Sequence, residues 1–247
     1  MAEKLLSIIT VTKNCVQTIE RTFVSVISVK SEDVEYIVVD GVSDDGTLNI
    51  IKKHLDTIDQ FICESDTGIY QAMNKGVAKA NGEYILFING GDELIPGGVK
   101  EVLTLLRASH EQIVCATTMV VDDATHQSFS FTPIPKRLIY GDSLPHPSSF
   151  IRRELISRFP FREDLRIASD YNFFLRVFLS GIPFKIVPYQ SAVHYLGGIS
   201  SNNKKRKKEV DLILRSQLGQ WRMFYYKILN VFIWSRRKIA NWLGGKS

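Results

Sequence analysis

The chain has 247 residues, of which 45% are hydrophobic, and a formal net charge of +5. This length suits one large domain, or a domain with an appended segment, and the chain has no low-complexity stretch or internal repeat. The first apolar run is too short for a signal peptide, and no apolar run reaches the roughly 18 residues of a conventional membrane span. We therefore expect neither a secreted nor a membrane-spanning protein.

Charge and cysteines are unevenly placed along the chain. Residues 204–247 carry 12 Lys or Arg against two acidic residues, a net charge of +10, whereas residues 1–203 carry 19 basic and 24 acidic residues, a net charge of −5. We expect an acidic globular domain at 1–203 and a basic tail at 204–247.

The widely spaced Cys15, Cys63 and Cys115 form no CxxC motif, which indicates reduced core cysteines in a cytoplasmic protein.

The first half of the chain alternates strands and helices. Asn14 is a plausible cap for the first helix, in which Ile19, Phe23, Val26 and Ile27 share one face. The alternation with short connections predicts right-handed βαβ units, a mostly parallel central sheet and helices on both faces, which is an α/β fold. Strands are predicted at 5–12, 34–39, 60–63 and 83–89, and helices at 15–29, 47–56 and 68–80.

The second half is less regular. A helix at 97–109 and a strand at 112–121 are predicted first. The five prolines between 125 and 168 predict loops, short strands and a lid-like segment. A helix follows at 169–180, and a strand at 184–188 and an irregular stretch at 193–198 end the globular part.

Residues 83–96 carry the most information. An apolar run at 84–88 breaks into Asn89-Gly90-Gly91-Asp92, which predicts a buried strand that delivers one carboxylate to a flexible turn at its C-terminal end. Ligands bind at that edge of open α/β sheets. The turn suits a divalent cation that holds a phosphorylated ligand, and an ordinary Gly-Asp turn is the open alternative.

Three acidic residues, Asp40, Asp92 and Asp170, stand at the ends of predicted elements. Together with the segments Ser7 to Asn14, Val38 to Thr47 and Asp66 to Gly76, in this order, they resemble the family 2 glycosyltransferases of the GT-A fold. The Asp-Thr-Gly-Ile-Tyr and Met-Asn-Lys-Gly runs resemble the branch active in bacterial surface-polysaccharide assembly. The resemblance covers residues 5–200 and implies a nucleotide-sugar donor half at about 1–120 and an acceptor half at about 121–203.

The resemblance implies a role for several donor-side residues. Asp40 would contact the uracil or ribose of the donor, and the backbone at Val11 and Thr12 would line the base pocket; a turn aspartate bonded to its own loop is the alternative for Asp40. Asp66 ranks first for donor contact among the residues of its loop and helix. The others there are Tyr70, Asn74 and Lys75, and Lys75 could instead be a solvated helix lysine.

The resemblance also implies a metal and a base. Asp92 matches the last carboxylate of the family's Asp-x-Asp signature, which holds Mg²⁺ or Mn²⁺ against the diphosphate, with the Asn89-Gly90-Gly91 turn beside it. Asn89 and Gly91 replace the usual Asp, so metal binding is expected to be weak or dispensable. His194 could be a late metal ligand or a packed histidine.

Asp170 matches the catalytic base of an inverting transfer, which takes the proton of the acceptor hydroxyl. Capping of the following helix is its alternative role, and the two are compatible. His146 lies where acceptor-side loops occur in relatives, and its function is open.

The tail combines the Lys204–Lys208 run with all three tryptophans of the chain, Trp221, Trp234 and Trp242. Apolar and aromatic residues repeat there at helical spacing: Trp221, Tyr225, Ile228, Leu229, Phe232 and Ile233. Aromatic and cationic residues on one helix predict a peripheral position on an anionic membrane surface, with packing on the domain and nucleic-acid binding as the weaker alternatives. Nucleic acid is not an expected partner, and the oligomeric state is open.

The resemblance thus implies transfer of a hexose or N-acetylhexosamine, with inversion, from a UDP-sugar to a lipid-linked saccharide in cell-surface polysaccharide (lipopolysaccharide or O-antigen) biosynthesis, at the cytoplasmic face of the inner membrane. A noncatalytic nucleotide-sugar-binding or membrane-binding protein that keeps the GT-A fold is the alternative. The absence of GxGxxG after the first strand and of GxxxxGK[ST] disfavours a dinucleotide oxidoreductase and a P-loop NTPase.

Overall fold

The structure is a computed structural model that describes residues 4–197 and 204–219. Within these ranges the strands are β1 (Leu6–Thr12), β2 (Val34–Asp40), β3 (Gln60–Cys63), β4 (Tyr84–Phe87), β5 (Glu93–Leu94), β6 (Ile113–Asp122), β7 (Gln127–Phe131), β8 (Ser149–Arg152) and β9 (Lys185–Tyr195). The helices are α1 (Ile19–Ile27), α2 (Thr47–Lys53), α3 (Ile69–Lys79), α4 (Pro96–Ala108), α5 (Arg153–Arg158) and α6 (Ser169–Leu179). Residues 204–219 form a further helix, called the C-terminal helix below.

The strands form one mixed sheet in the order β3-β2-β1-β4-β8-β6-β9-β5, and β7 pairs with β6. The half built by β3, β2, β1 and β4 is parallel, as predicted. In the other half β8 runs antiparallel to both β4 and β6, whereas β9 runs parallel to β6. The fold is therefore α/β, with its parallel part in the first half of the chain.

Alternating side chains of the central strands face two separate cores. Ile8 of β1 points to the side covered by α1, α2 and α4, and Ile9 points to the side covered by α3, α5 and α6. Both side chains are fully buried. This alternation follows from the two-residue period of a strand and explains why helices cover both faces.

The ends of the strands bring the predicted site together. Thr12 pairs with Asp40 at the C-terminal ends of β1 and β2. β4 ends at Phe87 and leads into the glycine-containing turn at 89–92. The short β5 then pairs with β9, which places the end of that turn beside the last residues of β9.

The first helix begins later than the sequence predicted. α1 starts at Ile19, and Asn14 lies outside it with a φ of 51°. The Asn14 side chain does not cap α1; its Oδ1 accepts a hydrogen bond from the Asp44 N–H (3.0 Å). Ile27, predicted on the buried face, is 37% exposed. Asn14, predicted to cap the helix, therefore accepts a hydrogen bond from the loop after β2 instead.

One prediction for the second half of the chain was incomplete, and one was wrong. The short strands predicted within 125–168 are present as β7 and β8, but β8 lies inside the sheet between β4 and β6. The stretch at 193–195, predicted to be irregular, completes β9. β9 follows β6 through register shifts near Thr117, so its continuity depends on pairing with a distant strand rather than on its own alternation pattern.

The C-terminal helix packs on the globular part of the protein. Ile213 and Leu214 are fully buried in the core on the α3 and α6 side. The beginning of the predicted tail is therefore packed, whereas Trp221, Trp234 and Trp242 lie outside the described residues. Across the described ranges, no helix combines the length and apolarity that a bilayer crossing requires.

Candidate active site

A cleft of about 840 Å³ opens at the C-terminal ends of β1 and β4. It collects residues from the turn after β4, the start of α3, the start of α6 and the end of β9. Of the site residues predicted from the sequence, those that line it are Val11, Thr12, Asp66, Asn89, Gly90, Gly91, Asp92, Asp170 and His194, and Tyr70 and His146 line it as well.

The turn at 89–92 is held by backbone and hydroxyl contacts. The Gly90 N–H donates to the Val11 carbonyl (3.1 Å), which attaches the turn to β1. The Gly91 N–H donates to Thr22 Oγ1 (2.8 Å), and the same hydroxyl donates to the Asp92 carbonyl (2.8 Å). Gly91 has a φ of +113°, a conformation that favours glycine. The helix α1 therefore fixes the shape of this turn.

Asp92 and His194 form a pair at the floor of the cleft. The His194 Nδ1 lies 3.0 Å from Asp92 Oδ1 and 3.1 Å from Oδ2, and the Tyr195 N–H also donates to Oδ1 (3.1 Å). The Asp92 side chain is only 6% exposed. Within 4–197 and 204–219 no group of three His, Cys, Asp or Glu side chains is placed to hold a metal.

Asp170 lies in the first turn of α6, where the positive end of the helix dipole favours a carboxylate. Its Oδ1 accepts from the Tyr171 N–H (2.8 Å), and the Tyr70 hydroxyl shares its hydrogen between Oδ1 (2.9 Å) and the Ile167 carbonyl (2.7 Å). Oδ2 lies 3.2 Å from His146 Nδ1. A carboxylate oxygen has about two lone-pair sites, so Oδ2 has the greater remaining capacity to accept a proton from a ligand.

The charges around Asp170 keep this group ionised. Burial alone would raise the pKa of Asp170, but the hydrogen bond and charge of His146 and the bonds from Tyr171 and Tyr70 hold that pKa below its ordinary value. Burial and the Asp170 charge together raise the pKa of Tyr70 well above its ordinary value, so Tyr70 stays a hydrogen donor. The arrangement provides a carboxylate ready to accept a proton at neutral pH.

Asp40 and Asp66 occupy different positions relative to the cleft. Asp66 lines the cleft, and its Oδ1 accepts from the Gly68 N–H (2.9 Å). Asp40 does not line it: the side chain is fully buried, and its two oxygens accept from the Ser43 N–H (2.7 Å) and the Ser43 hydroxyl (2.6 Å). This is the turn arrangement left open as the alternative, and a contact between Asp40 and a donor stays a prediction.

Two residues of α3 named for the donor side turn away from the cleft. The Asn74 amide bonds to the Phe161 carbonyl and to Glu163, at 3.0 Å each. The Lys75 Nζ donates to the Ser65 carbonyl (2.9 Å) and pairs with Glu64 (3.1 Å). Both side chains therefore hold α3 in place.

The sequence reasoning missed three cationic residues of the cleft: Lys13, Arg21 and Arg166. The Arg21 guanidinium stacks on the Tyr195 ring at 3.8 Å and pairs with Asp123 (3.3 Å). Lys13 lies within the Ser7 to Asn14 segment quoted for the resemblance, which was a usable signal. Arg21 sits in a helix and Arg166 in a loop, and neither position carries a local pattern that predicts a site.

The C-terminal helix reaches the loop that precedes Asp170. The Glu209 carboxylate accepts three backbone N–H bonds, from residues 166, 167 and 168, at 2.9 Å each. Arg206 pairs with Asp142 at 2.8 Å. Burial and the nearby Asp170 charge raise the pKa of Asp142 to about 6, although Arg206 opposes this shift.

Comparison with known proteins gives a family and a fold. The family model described as "Glycosyl transferase family 2" matches residues 7–178. The chain is similar to a PGL/p-HBAD biosynthesis glycosyltransferase of Mycobacterium bovis (strain BCG / Pasteur 1173P2), with 26% identity over 227 residues, 89% of this chain and 88% of that protein. It is also similar to a cholesterol galactosyltransferase of Borreliella burgdorferi, with 22% identity, 76% of this chain and 60% of that protein.

Among solved structures, S. aureus TarS 1-349 in complex with UDP matches with a TM-score of 0.69 and 20% identity over 86% of this chain. A mannosyltransferase from Pyrobaculum calidifontis, in complex with GDP-Man and Mn²⁺, matches with a TM-score of 0.65 and 16% identity over 86% of this chain. The chain spans less than two thirds of those two solved chains, 64% and 63%. These likenesses establish the fold.

Proposed function

Because the chain belongs to family 2 of the glycosyltransferases, we propose that it moves a hexose or N-acetylhexosamine, with inversion, from a nucleotide diphosphate sugar to a lipid-linked saccharide. One observation carries this proposal. The turn that ends in Asp92 and the carboxylate of Asp170 line the same cleft, so a leaving-group site and a base face one cavity. A single displacement needs both on opposite sides of the reacting carbon.

We assign UDP as the nucleotide of the donor. TarS, a structural neighbour, has been solved with UDP and with UDP-GlcNAc. In this chain Val11 and Thr12 would line the base pocket, and Asp66 would contact the donor from the start of α3. Asn89, Gly90 and Gly91 would approach its phosphates, because glycine lets a phosphate come close to the backbone.

A divalent cation, Mg²⁺ or Mn²⁺, would be held by Asp92 and His194 together with phosphate oxygens of the donor. The two side chains are adjacent and face the cleft, a donor set that suits a cation bound mainly with the nucleotide. When bound, the cation neutralises charge on the departing diphosphate. Lys13, Arg21 and Arg166 add positive charge to the same cleft.

Asp170 is assigned as the base. Its Oδ2 takes the proton of the acceptor hydroxyl while the hydroxyl oxygen forms a bond to the anomeric carbon. The bond from that carbon to the diphosphate oxygen breaks at the same time, and its electron pair leaves with the nucleoside diphosphate. Attack opposite the leaving group converts an α-linked donor into a β-linked product, and no enzyme nucleophile takes part.

The proposal of a lipid-linked acceptor is supported by the name of a relative and by the composition of residues 220–247. One relative is named a cholesterol galactosyltransferase, a name that indicates a lipid acceptor for that protein. The aromatic and basic residues of 220–247 would hold this chain at the cytoplasmic face of an anionic membrane, where lipid-linked saccharides of surface-polysaccharide synthesis are presented.

The test uses the full chain with UDP-GlcNAc, UDP-glucose, UDP-galactose and GDP-mannose, a bacterial lipid extract and Mn²⁺, with nucleoside diphosphate release as the signal. Asp170→Asn should lower the rate by about 10²–10⁴-fold, the usual contribution of a general base. Asp56→Asn, a change on the exposed surface, is the matched control. Full activity of Asp170→Asn would contradict the assignment of the base.

A further inference from the structure

The imidazole of His146 lies between Asp170 and the turn at 89–92. Its Nδ1 is 3.2 Å from Asp170 Oδ2, and its Nε2 is 3.0 Å from Asn89 Nδ2. The His146 side chain is 19% exposed and the Asp170 side chain 16%. One ring therefore contacts both the proposed base and the first residue of the turn that carries Asp92.

The ring presents an N–H from Nδ1 to Asp170 in both of the protonation states that Asn89 can accommodate. Asn89 Nδ2 is a donor, so Nε2 accepts, and the hydrogen of a neutral ring then sits on Nδ1 and points at Asp170. Asn89 Oδ1 is buried and has no hydrogen-bond partner in the described part of the chain. Half a turn of the amide would bring this oxygen to Nε2, so the same side chain can also accept from a doubly protonated His146.

The backbone that carries His146 is firmly held. His146 opens a 3-10 helix at His146–Ser148 that leads into β8. The Ser149 hydroxyl donates to the Pro145 carbonyl (2.7 Å), and the Ser148 hydroxyl bonds to Thr118 (2.7 Å). Contacts on both sides of the residue fix the ring, which is the support that a positioning side chain needs.

We propose that His146 is a positioning residue: it orients the Asp170 carboxylate and sets its distance from the Asn89 to Asp92 turn. This inference rests on the proposed function, because it takes Asp170 as the base. The His146 N–H occupies one lone-pair site of Oδ2 and leaves the other for the acceptor hydroxyl. Because the same ring contacts Asn89, the position of Asp170 Oδ2 is fixed relative to the turn assigned to the leaving group. A displacement of the base by about 1 Å can slow a displacement reaction strongly.

The charged groups around His146 agree with this role. Burial disfavours a charge on the ring, but the hydrogen bond and charge of Asp170, with the charges of Asp92 and Asp142, outweigh it and raise the pKa of His146. Two of these carboxylates have partners of their own, His194 for Asp92 and Arg206 for Asp142. Tyr70, on α3, reaches Asp170 from the other side.

Two substitutions separate the two contacts of the ring. In His146→Asn the side-chain amide nitrogen lies near the position of Nδ1, so this variant keeps a hydrogen-bond donor to Asp170. In His146→Gln the side-chain amide lies near the position of Nε2, so this variant keeps only the contact with Asn89. We expect His146→Gln to lower kcat by about tenfold to 100-fold with KM for the donor within about twofold, and His146→Asn to recover most of the loss. His110→Gln, an exposed position, is the control.

A measurement without substrate tests the contact itself. The chain has five histidines, so long-range ¹H–¹⁵N spectra of ¹⁵N-histidine protein can follow each ring through pH. The His146 signals, identified by their loss in His146→Gln, should titrate above the ordinary histidine range, and Asp170→Asn should lower that pKa. An unchanged pKa in Asp170→Asn would overturn the proposal.

The kinetic outcomes separate this proposal from the function on which it rests. If the wild-type chain turns over a donor and His146→Gln has the same kcat and pH profile, His146 is not a positioning residue and the transferase proposal stands. If folded wild-type protein turns over no donor with any acceptor, the proposed function fails first, and the role of His146 in it is rejected as well.

Discussion

At the scale of single residues, the Thr22 hydroxyl holds the turn at 89–92 against α1. It accepts from the Gly91 N–H and donates to the Asp92 carbonyl, both at 2.8 Å, and the residue is fully buried. Thr22→Val keeps the shape but leaves two backbone groups unsatisfied, so we expect the free energy of unfolding to fall by about 1–3 kcal/mol. Chemical denaturation measures this.

A measurement of UDP binding gives a second test of the role of Thr22. If the turn at 89–92 binds the phosphates, Thr22→Val should also weaken UDP binding, because the turn loses its support from α1. Thr104→Val, on the exposed side of α4, should change stability by less than about 0.5 kcal/mol and leave UDP binding intact. Equal behaviour of the two variants would contradict the role assigned to Thr22.

Asp142 gives a pH-dependent prediction. Its pKa is about 6 in the folded protein against an ordinary 3.8, so between about pH 4 and pH 6 the folded state binds the proton more tightly than the unfolded state. Stability contributed by this group is therefore lost as pH rises through that window. Asp142→Asn should remove this part of the decline in urea unfolding experiments, and Asp56→Asn should not. An unchanged slope in Asp142→Asn would refute the prediction.

The site residues differ in how far the sequence could reveal them. Asp92 and Asp170 follow or open regular elements, and both line the cleft. The Asn89, His146 and Asp170 contacts join residues 57 and 24 positions apart, and no local pattern contains that information. Thr22 was missed because its hydroxyl serves a turn that lies 69 residues further along the chain.

At the scale of elements, the C-terminal helix supports the loop before Asp170. The Glu209 carboxylate accepts three backbone N–H bonds there. Glu209→Gln removes the charge and part of this acceptor capacity, so we expect stability to fall by about 1–3 kcal/mol. Sugar transfer should fall too, because the loop leads directly into α6.

Glu101→Gln, on the exposed face of α4, is the control for that helix contact. Thermal unfolding and nucleoside diphosphate release from the donor are the two measurements. Wild-type stability and wild-type turnover in Glu209→Gln would show that the C-terminal helix does not support the site.

The strands also show where the local sequence pattern is sufficient to predict secondary structure. The strands of the parallel half were found within one or two residues, since buried β1, β2 and β4 are nearly continuous apolar runs flanked by turn residues. The place of β8 in the sheet and the end of β9 were not predicted, because their pairing partners are distant in the chain. Pairing of that kind overrides local propensity.

At the scale of the whole molecule, the sheet is divided into two halves that meet at the cleft. The parallel half supplies β1 and the turn after β4, and the mixed half supplies His146, α6 and β9. The sequence predicted the α/β class and the order of the first elements. It did not predict that β8 joins the halves antiparallel to β4, because that junction depends on how two distant segments pack.

The most direct test of the central claim is thermal stabilisation of the full chain by UDP, GDP and dTDP, with and without Mn²⁺. A ligand at about 100 times its dissociation constant adds roughly 2.7 kcal/mol to stability, which is readily detected. We predict stabilisation by UDP that increases with Mn²⁺ and is reduced in Asp92→Ala but retained in Asp170→Asn. Absence of stabilisation by every nucleoside diphosphate, in protein shown to be folded, would contradict the donor site and the transfer reaction built on it.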